Sequence, residues 1–308
     1  MTIAVGARSA IGIVAETVWG TTPTTPALLE VPFTQFSVNK SLAKFMDQSI
    51  QGDRMYRPSV TGNTTIAGDL DVAYQGLNYD KLLESVFNNA INATVIKIGN
   101  TRKSFTFEHS QIDTANYFQY TGMVVDKFAL KLATSGIVTG KFSLIGKDHP
   151  TVTIASIDTV SGVSPNGFYT PAVVSIPFVH NGGTFKEGGV AFGAFMSLDV
   201  TFDNKSSSNF ALGSNVVRDF SSNFFEVTGT ASVYFEDATL YNKFINSTTT
   251  SIEFSLTNGT STHDYLIPNV RYHGATKTIS GNGPIVLTVP FVGFYDSTTS
   301  TNAQITIT

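Results

Sequence analysis

The sequence predicts a mainly β protein made of two tandem units, each a β-sandwich or barrel with one short flanking α-helix. Three observations lead to this prediction. Apolar residues alternate with a period of two along much of the 308-residue chain, as in half-buried strands. Helical periodicity appears in two short segments only. The segments around these two helices also resemble each other, which indicates an internal repeat.

The strand pattern is clearest in three segments in which every second residue is apolar. Their same-face residues are Leu198, Val200 and Phe202; Phe128, Leu130 and Leu132; and Ile285, Leu287, Val289 and Phe291. Hydrophobic residues make up 42% of the chain and charged residues only 14%, against about 25% charged in an average protein. We therefore expect much of the surface to be buried against a partner.

Two segments have the spacing of a helix with one apolar face. In the first, Asn78 is the expected N-terminal cap, and the apolar face contains Tyr79, Leu82, Leu83, Val86 and Phe87. In the second, Asp237 is the expected cap, and the face contains Leu240, Tyr241, Phe244 and Ile245. Each helix follows a predicted strand, so the two strand–helix pairs are candidates for equivalent parts of a repeat.

The repeat is faint in identity but ordered along the chain. SVNKSLAKF at 37–45 matches FDNKSSSNF at 202–210, GDLDVAYQG at 68–76 matches GTASVYFED at 229–237, and YDKLLES at 79–85 matches YNKFINS at 241–247. The segment from Ser104 to Gly146 then matches that from Ser251 to Gly293 without a gap. These matches predict a duplicated unit of strand, long loop, strand, helix and further strands.

Five segments follow from this repeat. They are an N-terminal arm (1–26), a first unit (27–146), a linker (147–189), a second unit (190–295) and a C-terminal tail (296–308). Prolines and glycines in the arm and the linker interrupt regular strand pairing. The Thr-rich tail is expected to add an edge strand.

The composition argues against several classes of function. Nineteen basic and 23 acidic residues give a net charge of −4, which leaves no basic footprint for nucleic-acid recognition. The absence of cysteine removes disulfides, thiol catalysis and cysteine-based zinc sites. The five histidines lack ligand spacing, and the close pair His263–Asp264 is expected to be solvated in a loop. We predict no catalytic, metal or cofactor site, and hence no enzyme. The N-terminal stretch, with Arg8 inside it, predicts neither a signal peptide nor a membrane span.

Several blocks, taken together, resemble the tail tube proteins of long-tailed, non-contractile (siphovirus-type) bacteriophages. They are GIVAETVWGTTPTTP in the arm, GDLDVAYQGLNYDKLLESVF, YTGMVVDKFALKLATSGIVTGKFSLIGKD, FEVTGTASVYFEDATLYNKFINSTTTSIEFSL and GPIVLTVPFVGFYDSTT. The resemblance extends in order over nearly the whole chain. It implies tail-tube-type units that form stacked rings around a β-barrel channel for DNA.

The resemblance also implies partners and a location. Tail tubes of this kind commonly have six units per ring, so two units per chain predict a trimeric ring with pseudo-sixfold symmetry. Further expected partners are the tape measure and terminator proteins, with DNA passing non-specifically through the lumen. The expected location is the virion tail, with assembly in the host cytoplasm. The alternative is a β-sandwich module that binds a receptor or a carbohydrate on a phage or bacterial surface structure; a hydrolase on a β-scaffold is a third hypothesis.

Two further expectations concern single residues. Asp69 and Asp71 are two apart on a strand and share a face, so they are candidates for the lumen. Cationic contacts to phosphate add affinity through counterion release, so we expect a neutral to acidic channel wall. The other reading of this pair is simply a polar strand side. Trp19, the one tryptophan, is a candidate arm contact, or else it packs on its own domain.

Two long segments without a clean period are candidates for contacts between stacked rings. They are KSLAKFMDQSIQGDRMYRPSV at 40–60 and KSSSNFALGSNVVRDFSSN at 205–223. The candidate residues are Phe45, Met46, Asp53, Arg54, Met55 and Tyr56 in the first, and Arg218 and Asp219 in the second. We expect the arginines to make charge-assisted bonds to the next ring and the apolar residues to be buried there. The plain alternative is a pair of solvated surface loops.

Overall fold

The computed structural model describes residues 3–150, 152–159, 169, 170, 173, 176–180, 183–279 and 281–308. The prediction of a mainly β protein with two short helices is confirmed over these residues. Part of the predicted linker 147–189 lies outside them. None of the helices in these ranges has the length and apolarity that crossing a bilayer would need.

Residues 3–150 form nine strands and one α-helix. In chain order these are β1 (Ser9–Ala15), β2 (Leu29–Glu30), β3 (Gln35–Phe36), β4 (Asn39–Phe45), β5 (Val60–Ala73), α1 (Asp80–Val86), β6 (Val95–Lys97), β7 (Phe105–Gln111), β8 (Asn116–Ala133) and β9 (Thr139–Gly146). Short 3-10 turns lie at Gly6–Arg8 and Ile112–Thr114.

The described residues after 150 form eleven strands and a second α-helix. These are β10 (Phe185–Glu187), β11 (Val190–Ala191), β12 (Phe195–Asp203), β13 (Ser207–Asn209), β14 (Asp219–Ser221), β15 (Glu226–Tyr234), α2 (Thr239–Ile245), β16 (Thr250–Thr257), β17 (Thr262–Tyr272), β18 (Thr276–Thr278), β19 (Val286–Gly293) and β20 (Gln304–Ile307).

An antiparallel sheet, which we call the main sheet, passes through both halves of the chain. Its order is β3 and β4 together at one edge, then β5, β9, β8, β12, β15 and β19, with β18 and the end of β17 at the other edge. Each half therefore contributes four neighbouring strand positions. The halves meet where β8 pairs with β12, and we call this ladder the internal seam.

A second layer packs against the main sheet in each half. In the first half, β1 pairs with β2 and β7, and β7 pairs with the first part of β8. In the second half, β16 pairs with β10 and β17, and β20 lies between β17 and β6. The predicted arm thus contributes β1 to a sheet. The C-terminal tail does form a strand, but that strand has a neighbour on both sides and is not an edge.

The core is a continuous set of aromatic and aliphatic side chains between these layers and around α1. Phe128 stacks on Phe142 with ring centroids 4.5 Å apart, and Phe254 stacks on Tyr265 at 4.6 Å. Aromatic side chains bury large areas, and offset stacking adds to that stabilisation. The same cluster includes residues of both halves, so the two halves share one core.

Corresponding ladders in the two halves have the same pairing pattern. β5 and β9 pair from Ile66 opposite Gly146 to Ala73 opposite Thr139, and β15 and β19 pair from Val227 opposite Gly293 to Tyr234 opposite Val286. Gly68 and Gly229 occupy the same rung of these ladders. A Cβ on Gly68 would lie within 2.5 Å of the backbone of Ser37 and Val38, and one on Gly229 would lie 2.5 Å from the Asp199 carbonyl of β12, so glycine permits close approach at both positions.

Two of the sequence matches are out of register with these ladders. Asn39 lies opposite Ala67 on the rung where Thr201 lies opposite Thr228, so its counterpart is Thr201 and not Asn204. Phe105 opposite Met123 corresponds to Thr250 opposite Val270, so the gapless match fails over the first strand of that block. The turns 112–115 and 258–261 are equally long, and the difference is absorbed by an extra rung in the β16–β17 hairpin, which lengthens each of its strands by one residue. Short sequence identities constrain hairpin length poorly.

Candidate functional site

The main sheet has one face covered by the core and one face that the chain leaves uncovered. Because side chains alternate along a strand, buried residues such as Leu70, Phe142 and Val200 are flanked by residues on the other side. We call this other side the open face. It contains Asp69, Asp71, Lys127, Ala129, Lys131, Lys141, Ser143, Asp199, Thr201, Asp203, Thr228, Thr230, Thr288 and Pro290.

Asp69 and Asp71 lie together on the open face and share one cation. The Lys141 Nζ is 3.3 Å from the Asp69 Oδ2 and 3.3 Å from the Asp71 Oδ1. Hydrogen bonds to Asp69 and then Asp71 raise the pKa of the Lys141 ammonium. The Ser143 hydroxyl donates to the Asp69 Oδ1 at 2.7 Å. Lys141 therefore balances one of the two carboxylate charges, and the group remains acidic.

The internal seam also carries opposite charges on its open side. β8 and β12 pair from Lys127 opposite Asp203 to Ala133 opposite Ser197. The Lys127 Nζ lies 3.1 Å from the Asp203 Oδ2, and Lys131 is directly opposite Asp199. Opposite charges on facing strand positions favour the register that brings them together. The seam between the halves is thus specified by charge as well as by its inward-facing apolar residues.

The open face of the second half replaces these charges with hydroxyl groups and proline. The rung that joins Asp71 to Lys141 in the first half joins Ser232 to Thr288 in the second. The rung of Asp69 and Ser143 becomes Thr230 and Pro290. The β5–β9 ladder thus pairs ions on the open face, whereas the equivalent β15–β19 ladder uses uncharged side chains there.

The two outer edges of the main sheet are exposed in the chain. All seven residues of β4 are exposed, and so are all three of β18. An exposed sheet edge presents unpaired backbone N–H and C=O groups that can pair with another strand. These edges are the natural contact sites for further copies of the sheet.

The first predicted contact segment, 40–60, consists of the end of the β4–β5 hairpin and the loop 46–59. Phe45, Met46, Met55 and Tyr56 are exposed, the last to 82%. The carboxylate of Asp53 pairs with Arg57 at 2.6 Å and not with its neighbour Arg54, which is exposed. Residues 40–45 are strand, so the expectation that the whole segment lacks regular structure is wrong for its first part.

The second predicted segment, 205–223, packs on its own chain. It contains β13 and β14, which pair with each other. Val217 and Phe220 are buried against Val124 of β8. The Asp219 carboxylate pairs with Arg102 at 2.7 Å, so its partner is not the adjacent Arg218. Asp53 and Asp219 thus both have partners within their own chain, and the predicted contacts of Arg54 and Arg218 to a neighbouring ring stay predictions.

Trp19 packs within its own chain. Its indole Nε1 donates to the Gly122 carbonyl at 3.1 Å, and its ring meets Phe220 edge to face. The Arg102 guanidinium and the Lys147 ammonium lie 4.8 Å and 4.7 Å from the ring centroid. Cation–π contacts of this kind stabilise the ring in place. Nearby, the Glu16 carboxylate accepts from the backbone N–H groups of Gly20 and Gly122 and fixes the same part of the arm.

A buried polar cluster joins the halves at the start of α1, and sequence reasoning missed it. His263 is 0% exposed, so the expected solvated pair with Asp264 is wrong. The Tyr74 hydroxyl lies 2.9 Å from the His263 Nδ1 and 2.6 Å from the Tyr265 hydroxyl. Burial lowers the pKa of His263 to about 4. The Asp80 carboxylate is 3.7 Å from the His263 Nε2, and burial, then repulsion by Glu84, raises its pKa to about 6.

This cluster lies inside the shared core and not at a surface cleft. Its groups belong to strands and a helix that are distant in sequence, so no short motif could have indicated it. Within the described ranges, no group of three or more histidine, aspartate or glutamate side chains is placed to hold a metal ion. The geometry is that of a structural hydrogen-bond network.

Comparison with known proteins gives one match over most of the chain. A family model described as phage tail tube protein matches residues 6–293. Among solved structures, the chain is similar to a chain of the 6-fold symmetrised cryo-EM structure of the anti-feeding prophage (AFP) baseplate. That likeness has 10% identity and a TM-score of 0.35, and covers 49% of this chain and 95% of the other. A search of curated proteins finds no match.

Proposed function

Since the chain belongs to the phage tail tube protein family, and is thus a structural component of a phage tail, we propose that it assembles into stacked rings that form the tube. The tail would be of the long, non-contractile type, and the tube would conduct DNA. The family argues for a structural and not a catalytic role. Assembly would take place in the host cytoplasm, with tape measure and terminator proteins as further partners.

The observation that carries this proposal is the main sheet with its two exposed edges and its open face. A sheet closed on itself has no edges, and closure through copies is the way in which such a sheet avoids uncontrolled pairing. The edges at β4 and β18 lie at opposite ends of the strand order. Copies joined edge to edge would therefore form a barrel, and its open face would line the lumen.

We propose that each chain supplies two units to this barrel and that three chains close a ring with pseudo-sixfold symmetry. The equivalent ladders of β5 with β9 and of β15 with β19 support the duplication. The units would follow the predicted limits 27–146 and 190–295, extended by β1 and β10, which pair with equivalent strands β7 and β16. A cyclic ring needs head-to-tail contacts, which repeated edges supply.

The proposed lumen wall is neutral to acidic. On the open face, Lys127, Lys131 and Lys141 each have an aspartate across the ladder. Paired lysines attract phosphate less than free ones, so DNA would slide along the wall without sticking. Asp69 and Asp71 are then lumen residues of which Lys141 balances one charge, which leaves this part of the wall acidic.

The loop 46–59 is the proposed contact between stacked rings. Phe45, Met46, Met55 and Tyr56 expose apolar surface, and Arg54 offers a charge for a bond to the next ring. Arg218 and Asp219 would contribute to the opposite side of the contact only through their solvent-exposed atoms, because their segment already packs on its own chain. Because the segment 205–223 is packed and the loop 46–59 is exposed, the loop 46–59 would be the main stacking element.

Negative-stain electron microscopy of concentrated protein, combined with mass measurement of isolated rings, tests the proposal. The expected result is tubes or rings with six wall units and the mass of three chains. A protein that stays monomeric at all concentrations would contradict ring formation and favour the receptor- or carbohydrate-binding module. Rings of six chains would contradict the duplication in the barrel wall while retaining the tube.

A further inference from the structure

We infer the strand register by which two copies of the chain join, an inference that rests on the proposed ring. In this register, the β3–β4 edge of one copy pairs antiparallel with the β18 edge of the next. Asn39 lies opposite Thr276, and Ser37 lies opposite Thr278. Nothing in the family match specifies this pairing; the internal seam does.

The internal seam is a template because it joins the same two kinds of strand within one chain. There, β12 is the first strand that the second half contributes to the main sheet, and it pairs with β8 of the first half over seven rungs. Thr201 lies opposite Ala129, and Asp199 lies opposite Lys131. In a ring of alternating halves, the junction between copies repeats this one.

The counterpart of Thr201 in the first half is fixed by two ladders. Thr201 pairs with Thr228, which pairs with Val292. On the equivalent rung, Asn39 pairs with Ala67, which pairs with Ile145. Asn39 therefore occupies the place of Thr201, at the exposed edge of the main sheet.

The counterpart of Ala129 is fixed in the same way on the other edge. Ala129 pairs with Lys141, and on the equivalent rung Thr276 pairs with Thr288. The bend in β8 at Asp126, where the register shifts, corresponds to the break between β17 and β18. Thr276 therefore occupies the place of Ala129, so the template places Asn39 opposite Thr276.

The chemistry of the two edges fits this register. On the open side, Asn39 and Ser37 would face Thr276 and Thr278, four polar and uncharged residues. On the core side, Val38 would face Lys277, whose stem runs along Phe235 with Nζ 5.3 Å from the ring centroid. Long lysine stems cover apolar surface while the ammonium stays in water. No rung places like charges opposite each other.

The register also explains why first halves would not join first halves. Such a contact would place Lys131 opposite Ser37, where the internal seam has Asp199. The lysine would lose its facing carboxylate, and charges without a facing partner are disfavoured on a sheet. The charged internal seam and the uncharged outer seam thus favour alternation of the two halves.

Because the wild-type chain has no cysteine, engineered cysteine pairs test the register without background. Two single variants, Asn39→Cys and Thr276→Cys, are mixed, assembled and oxidised, so that a mixed disulfide can form only between copies. Facing residues have Cβ atoms about 5 Å apart, whereas a shift of two residues gives about 7 Å or more, which is beyond disulfide reach. The expected product is a disulfide-linked dimer of the two variants, formed at the junctions that carry both cysteines after random mixing.

Three controls make the result specific. Asn39→Cys mixed with Thr278→Cys is displaced by two residues on the same face and is expected to crosslink at least tenfold more slowly. Ser37→Cys mixed with Thr278→Cys tests the register again if the first pair hinders assembly. The intrachain pair Thr201→Cys with Ala129→Cys, on the template rung, should close readily in the unassembled chain.

The outcomes separate this inference from the proposed function. Two outcomes would overturn the register but not the proposed tube. In the first, the displaced pair crosslinks faster than the facing pairs. In the second, tubes form and the template pair closes, but neither facing pair crosslinks. Absence of tubes or rings for the wild type would overturn the proposed function itself. Crosslinking of both facing pairs in tubes, with the displaced pair slow, supports the register.

Discussion

The two helices follow equivalent strands and have equal length, yet their surroundings differ. Leu83 of α1 is 0% exposed, whereas Ile245, its counterpart in YNKFINS, is 60% exposed. Most of α1 is buried, whereas of the residues of α2 only Leu240 is. The same local sequence pattern thus produces a core helix in one half and a surface helix in the other.

The difference arises from what lies beside each helix. The end of α1 is covered by the second half: Phe87 packs on Phe202 and Phe225 with centroids 5.6 Å apart, and the Asn204 side chain donates to the Val86 carbonyl at 2.8 Å. The corresponding place beside α2 is exposed in the described part of the chain. In the proposed ring, the first half of the next copy takes that place, so α2 shows what α1 would be without its neighbour.

The largest expected effect comes from truncating the matched pair of residues. Leu83→Ala removes a fully buried side chain and should lower the free energy of unfolding of the isolated chain by about 2–5 kcal/mol. Ile245→Ala removes an exposed one and should change it by about 0.5 kcal/mol or less. Denaturant unfolding of both variants measures this. Equal losses would mean that α2 is covered within the chain.

The next effect concerns pH and Asp80, the first residue of α1, whose counterpart in YNKFINS is Asn242 within α2. The raised pKa of Asp80, about 6 against 3.8, means that the folded chain gains stability as pH falls through that window. The lowered pKa of His263, about 4 against 6.5, means that the folded chain loses stability as pH falls from 6.5 to 4. In the wild type these two contributions oppose each other.

Asp80→Asn introduces the residue found at the matching position, Asn242. In this variant, only His263 should contribute to the pH dependence of the free energy of unfolding. Its free energy of unfolding should fall relative to that of the wild type by up to about 1.4 kcal/mol per pH unit between pH 6.5 and 4. Urea unfolding at several pH values measures the difference. The matched control is the double variant Asp80→Asn with His263→Asn, which should restore a flat profile. If the free energy of unfolding changed with pH in the same way for the wild type and Asp80→Asn, the contributions of Asp80 and His263 would not oppose each other.

The two long loops extend the same comparison to assembly. Amides of 46–59 should exchange quickly in the unassembled chain and become protected in tubes, whereas Val217 and Phe220 should be protected in both because they are already buried. Hydrogen exchange by mass spectrometry measures this. Arg54→Ala should give rings that stack into shorter tubes than those of the wild type. Arg57→Ala is the comparison variant, because Arg57 already pairs with Asp53 in its own chain. Equal protection of 46–59 in both states would refute a stacking role.

The smallest effect is expected on the open face. Lys141→Thr copies Thr288 and removes the cation shared by Asp69 and Asp71. Because the pair is exposed and screened, the free energy of unfolding should change by less than about 1 kcal/mol. Thermal melts at low and at high salt measure it, and the small difference between wild type and variant should shrink as salt rises. A large loss at high salt would show that Lys141 packs in the core.

The sequence was informative where structure depends on near neighbours and misleading where it depends on distant ones. Leu82, Leu83 and Val86 were predicted as one helix face and do form it, because a period of 3.6 acts within a few residues. Asp237 accepts from the Thr239 N–H at 2.7 Å, but the residue at the cap position of α2 is Ala238, so the predicted cap is one residue too early. Asn78, however, is not a cap: its side chain bonds the backbone of Val173.

The misses share one cause, which is competition for a side chain by a remote partner. His263 looked solvated beside Asp264, but Tyr74, far away in sequence, takes its Nδ1 in the core. Asn78 stands where a helix cap is expected, but the backbone of Val173, also far away in sequence, takes its side chain. Charged and polar side chains are long enough to reach several neighbours, so adjacency in sequence decides little until the strands are in register.

The internal seam has a consequence for the kinetics of ring formation. Of six junctions in a ring of three chains, three would form as each chain folds, at an effective concentration set by the tether and not by the solution. Nucleation would then be third order in protein and not sixth. Halving the protein concentration would slow it about eightfold, whereas separate half-chains would slow about sixty-fourfold.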